Sequence, residues 1–113
     1  MPTAHAPSPH ADFRVRTEPN GDALVVRAFG KIDTAGAKSL EKQLRMLFRG
    51  GASSVLLDLG NVNFIDANGL FVLLAVAKLS VTYGRRLRIV RVSSPIDQVI
   101  EQSGVEGALP IAA

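Results

Sequence analysis

The chain has 113 residues, no cysteine, and 13 basic against 10 acidic side chains for a formal net charge of +3, which suits one domain with a modest core. The lack of cysteine excludes disulfides, thiol nucleophiles and cysteine metal sites. Apart from Arg85, Arg86, Arg88 and Arg91 the basic residues are dispersed, and no apolar run approaches the roughly 18 residues that span a bilayer, so neither a nucleic-acid face nor membrane insertion is expected.

Residues 1–11 hold three prolines, both histidines and small residues without periodicity, and read as a disordered tail ahead of a domain at 12–113. His5 and His10 stand five apart with no further ligand type nearby, so no metal is expected there. The N-terminus also lacks a basic start followed by an apolar core. A soluble cytoplasmic protein is therefore expected.

Phe13, Val15 and Thr17 alternate with Arg14, Arg16 and Glu18 as in a half-exposed strand. Pro19-Asn20-Gly21-Asp22 supplies turn chemistry, and Ala23 to Ile32 should return as the second strand of a hairpin. The continuous Leu24-Val25-Val26 run suggests a central strand covered on both faces. Asp33 or Thr34 can then cap a helix to about Arg49, with Ala37, Leu40, Leu44, Leu47 and Phe48 at helical spacing and Gly50-Gly51 ending it.

Ser54 to Leu59 reads as a strand reached by a parallel crossover, and Gly60-Asn61 as a break into a loop. If a second helix begins just after Asp66, that carboxylate is placed to accept the free N–H of Asn68 or Gly69. From Leu70 through Ala77 every residue is apolar. Such a helix must be covered on more than one side, although its Phe71, Val72, Ala75 side could also serve as a docking surface.

Tyr83-Gly84 closes that helix, and Leu87, Ile89 and Val90 form a fourth strand. Ser94-Pro95-Ile96-Asp97 predicts a helix with Ser94 as N-cap, stopped by Gly104. Leu109-Pro110-Ile111 is at most a short edge strand. The order of elements gives an α/β domain with a mixed sheet and helices packed against it.

The chemical inventory is poor. Beyond the tail there is no histidine or cysteine, so Ser-His and Cys-His nucleophile pairs do not form, and no Walker-type loop exists. Asp33, Asp58 and Asp66 could cluster around Mg²⁺ or serve as acid and base, but two of them suit helix caps and the third ends a strand. No enzyme activity, cofactor or metal is expected.

Asp58-Leu59, Phe64-Ile65-Asp66 and Gly69-Leu70, in that order and spacing, resemble the central signature of the STAS domain, named for sulphate transporters and anti-sigma factor antagonists. Gly30-Lys31-Ile32-Asp33 is similar to that family's Gly-Glu-hydrophobic-Asp element, with Lys31 where an acid is more usual. The resemblance covers roughly residues 13 to 111. It implies a single STAS-like domain of four or five mixed strands with helices on one side.

In the signalling branch of that family, the domain docks onto an anti-sigma factor that is also a serine kinase, and thereby frees a sigma factor. The kinase phosphorylates a Ser or Thr directly after the motif Asp and ejects the domain. Here that position is Ala67, which has no oxygen to accept a phosphoryl group. The resemblance implies partner-binding roles for Asp33, Asp66, Ala67, Asn68, Gly69, Phe71 and Val72. Three readings remain: a permanently dock-competent antagonist, a scaffold in a stress-signalling assembly, or the cytoplasmic subunit of a lipid ABC transporter. The apolar second helix could also serve a homodimer as easily as a heterocomplex.

Overall fold

The computed structural model describes residues 13–112; the expected tail, with His5 and His10, lies outside the described residues. The elements run β1 (Arg14–Asn20), β2 (Ala23–Ile32), α1 (Thr34–Arg49), β3 (Ser54–Ile65), α2 (Ala67–Thr82), β4 (Arg86–Val92) and α3 (Ser94–Ser103), followed by a 3₁₀ turn at Glu106–Ala108. The four strands stand in the order β1-β2-β3-β4. β1 is antiparallel to β2, whereas β2, β3 and β4 are parallel. Ile111 adds a single parallel bridge to Ile89, all that a segment containing Pro110 makes of a fifth strand.

Gly21, at φ +63°, takes the first place of the two-residue turn between β1 and β2. Pro19 and Asn20, expected in that turn, belong to β1 instead, where Pro19 pairs with Leu24. Proline is tolerated there because β1 is an edge strand.

The crossovers β2-α1-β3 and β3-α2-β4 each step one place across the sheet in the same direction. Right-handed connections therefore place both helices on one face, and α1 and α2 pack on each other. On that face Val26 and Ala28 of β2, Val55, Leu57 and Leu59 of β3 and Leu87 and Ile89 of β4 are buried. They join Leu40, Leu44 and Phe48 of α1, Leu73 and Val76 of α2, and Ile96 and Ile100 of α3 in one core. A side chain such as Leu40, fully buried here, contributes about 2 kcal/mol.

Val25, Leu56 and Val90 alternate to the opposite face and stand outside this core. Coverage of β2 on both faces is thus corrected: among the described residues all three helices contribute their apolar stripes to one side. Val25 is only 7% exposed, with Glu18 and Leu56 beside it in register, which explains how an apolar run arises without a second helical layer.

Two other expectations shift. β3 does not break at Gly60-Asn61 but continues to Ile65, because register irregularities let it follow the long C-terminal half of β2. α3 is capped one residue earlier than expected, by Ser93 rather than Ser94. The Ser93 hydroxyl makes no cap bond and instead donates to the Val62 carbonyl at 2.6 Å, tying the start of α3 to β3. No helix among the described residues is long and apolar enough to cross a membrane.

Candidate docking site

The C-terminal ends of β2 and β3 lie side by side, Ile32 against Ile65, so the residues that follow each strand emerge at one corner. Both strands continue with the same local solution. Asp33 Oδ1 accepts the N–H of Gly36 at 2.9 Å, and Asp66 Oδ1 accepts the N–H of Gly69 at 3.0 Å. Each aspartate is the N-cap of the helix after it, satisfying one of the otherwise orphaned N–H groups.

The glycines are set by space. A Cβ on Gly36 would press on the Lys31 carbonyl and lie 3.2 Å from Phe13 Cγ, and one on Gly69 would press on the Ile32 carbonyl. The two helix starts are therefore held hard against the end of β2. A further bond joins them directly: Asn68 Nδ2 donates to Thr34 Oγ1 at 2.9 Å.

Ala67 and Asn68 form the exposed tip of this corner, Asp33 and Asp66 are half-buried beneath it, and Gly69 is buried in the helix–strand contact. Phe71, one turn beyond Ala67, is 72% exposed, and Phe64, two residues before Asp66, is 44% exposed. Val72 is half-buried, and Ala75 and Lys78 continue the exposed stripe of α2 beyond Phe71. The corner thus presents a small tip with the exposed Phe71 ring on α2 beside it, while Phe64, in register with Lys31, is exposed on the helix-free side of the sheet. Neither helix has an acidic side chain within its own first turn, so an anion at the tip would gain about 0.3–1 kcal/mol from the helix dipole.

Asp58 lies elsewhere. It is 2% exposed, its Oδ1 accepts the Gly60 N–H at 2.8 Å, and its Oδ2 stands 3.5 Å from Arg27 Nε and 3.5 Å from Arg91 Nη1. The carboxylate is committed to two guanidinium groups on the helix-free face, and does not converge with Asp33 and Asp66. Among the described residues no three or more His, Cys, Asp or Glu side chains gather as metal ligands.

Sequence reasoning missed Thr34 as part of this corner. The available signal was the repeat of Asp-x-x-Gly at Asp33-Thr34-Ala35-Gly36 and Asp66-Ala67-Asn68-Gly69, which marks two equivalent helix starts. Asp66→Ala is expected to lower stability by roughly 1 kcal/mol through loss of the cap, as read by urea denaturation. A variant that unfolds with the parent would show that the Asp66–Gly69 bond contributes nothing to holding α2.

This sheet with its helices on one side is a fold shared with solved structures. The family model for the STAS domain matches residues 14–113, and the chain belongs to the STAS-domain family. Its relatives include BtrV of Bordetella bronchiseptica, described as an anti-sigma factor antagonist, 32% identical over 89 residues that cover 79% of this chain and 77% of BtrV. The anti-sigma F factor antagonist of Paenibacillus polymyxa is 26% identical over 101 residues, covering 88% of this chain and 86% of that protein. Among solved structures, an anti-sigma factor antagonist from Mycobacterium paratuberculosis superposes with a TM-score of 0.78 at 21% identity, covering 92% of this chain and 87% of that one. These relatives make the protein an antagonist-like STAS domain.

Proposed function

We propose that the protein is a binding module that docks through the Asp33/Asp66 corner onto an anti-sigma factor of the serine-kinase type in the bacterial cytoplasm, and that it catalyses no reaction of its own. The observation that carries this reading is the corner itself. Hydrogen bonds hold the two helix starts, Ala67 and Asn68 are exposed between them, and Phe71 offers apolar area alongside. An exposed aromatic ring beside a rigid tip suits an interface whose energy is concentrated in a few anchors.

Ala67 gives the reading its second half. A hydroxyl here would stand at the first residue of α2, directly after the Asp66 cap. Its phosphorylation would bring about −1.5 to −2 charges into the contact beside an existing carboxylate. With alanine in place, that route to release is closed and the docking-competent state is permanent.

Phe71→Asp tests the docking surface. The side chain is largely solvent-exposed, so stability should change by no more than about 0.5 kcal/mol, whereas loss of an aromatic anchor should weaken docking by about 2 kcal/mol, or roughly 30-fold. Tagged wild-type protein should capture an anti-sigma factor carrying a kinase-type ATPase fold from lysate of the source cells, and Phe71→Asp should not. Recovery of lipid-transporter subunits instead, or equal capture by the variant, would overturn the assignment.

A further inference from the structure

The sheet face that carries no helix gathers charge that the sequence spreads along the chain. Register places Arg16 beside Arg27, Arg88 beside Leu56 and Arg86 beside Ser54 on this face. Arg14 stacks over the Phe29 ring at 4.9 Å, Arg91 reaches Asp58, and Lys31 continues the alternation at the end of β2. Among the described residues the only acids on this face are Glu18 and Asp58. Among the described residues this one face therefore carries seven cationic groups, of the chain's 13, against two carboxylates. A chain of almost neutral composition is strongly polarised in space.

The two acids are already engaged at the centre. Glu18 pairs with Arg27, and Asp58 is held between Arg27 and Arg91. At the edges, the side chains of Arg16 on β1 and of Arg86 and Arg88 on β4 have no hydrogen-bond or ion-pair partner among the described residues and are exposed. Like charges directly opposite, as at Arg16 and Arg27, are destabilising in a sheet, so the arrangement costs stability that folding alone does not require. Arg91 adds to that cost, being the one described non-glycine residue at positive φ, +51°.

We propose that this face binds a carboxylate-rich segment of a partner protein. The outer arginines form two rows, on β1 and on β4, three strand spacings or about 14 Å apart, with Val25, Leu56 and the Arg27–Asp58 pair of β2 and β3 between them. An acidic segment with carboxylates spaced to reach both margins complements that pattern, because the charges at the centre already neutralise one another. A single phosphodiester strand presents one continuous line of charge, which would follow one row and leave the other uncovered. That all the cations but one are arginine also fits planar, bidentate carboxylate recognition.

The test is fluorescence anisotropy with a labelled glutamate-rich peptide, at low and at physiological ionic strength, on the full chain. A labelled DNA duplex and phosphatidylglycerol vesicles serve as the other arms. The wild type should bind the peptide more tightly than the duplex or the vesicles, with affinity falling as salt rises. Arg16→Glu with Arg88→Glu should weaken it at least tenfold at an unchanged melting temperature. Lys38→Glu with Lys42→Glu, the same charge change on exposed positions of α1, should stay within twofold of wild type. Equal losses in both double variants, no peptide binding at low salt, or preference for duplex or vesicles would overturn the proposal.

Discussion

Gly69→Ala should lower the stability of the domain by about 2–3 kcal/mol, although alanine is the better helix former. Two effects of opposite sign meet at this position. Replacing glycine in a helix ordinarily gains up to about 1 kcal/mol. Here the added Cβ would press on the Ile32 carbonyl and lie 2.6 Å from Ile65 Cγ1 and 2.8 Å from Ile32 Cγ2. A side chain could swing aside, but the carbonyl belongs to the paired end of β2 and also accepts the Asp66 N–H at 3.5 Å. Relief therefore requires α2 to move away from the sheet, which loosens the cap and the core below it. Overpacking of this kind costs about 1–3 kcal/mol or more, and its upper range outweighs the propensity gain. For a domain of this size the melting temperature should fall by roughly 10–20 °C. Gly107→Ala is the matched control, because its Cβ would meet nothing within 4 Å, and it should melt with the parent. If Gly69→Ala did so too, the close approach of α2 to β2 would not be what fixes the corner.

The features legible in the sequence are those decided locally. The bounds of α1 and α2 follow from apolar spacing and from aspartate and glycine punctuation, and the Asp66 cap on Gly69 was readable because both partners lie within four residues. The features that were not legible depend on strands meeting. β3 runs past Gly60-Asn61 only because β2 is there to pair with it. Ser93 turns to the Val62 carbonyl because β3 passes beside it, and this displaces the expected Ser94 cap. The joining of the corner by Asn68 and Thr34 spans 34 positions, and the arginine-rich face is assembled from three strands. None of these has a signature in a window of ten or twenty residues.

On the proposed docking reading, Ala67→Ser should give a protein that its partner can release. The position already has what a phosphoacceptor needs apart from the oxygen: it is exposed, it opens α2, and the neighbouring Asn68 and Asp66 are pinned by their own hydrogen bonds. Serine is isosteric enough with alanine at an exposed first turn to leave the fold intact, so stability should change by less than about 0.5 kcal/mol. Once phosphorylated, the side chain would carry roughly two negative charges next to Asp66. Desolvating them at the centre of a contact should cost a few kcal/mol, which weakens docking about a hundredfold or more. On the proposed reading, in which a kinase-type partner reaches the loop only through the corner, Phe71→Asp should abolish both docking and phosphorylation of the serine variant.

The most direct measurement follows wild type and Ala67→Ser side by side on the partner they capture, by surface plasmon resonance with ATP and Mg²⁺ added after the complex has formed, and by intact-mass and peptide mass spectrometry of the released and retained protein. The wild type should stay bound, with its dissociation rate unchanged by ATP and no phosphate on residues 60–70. Ala67→Ser should gain one phosphate at position 67 and dissociate. Release of the wild type by ATP, accompanied by a phosphate within residues 60–70, would contradict the assignment of Ala67 as the residue that keeps this domain docked.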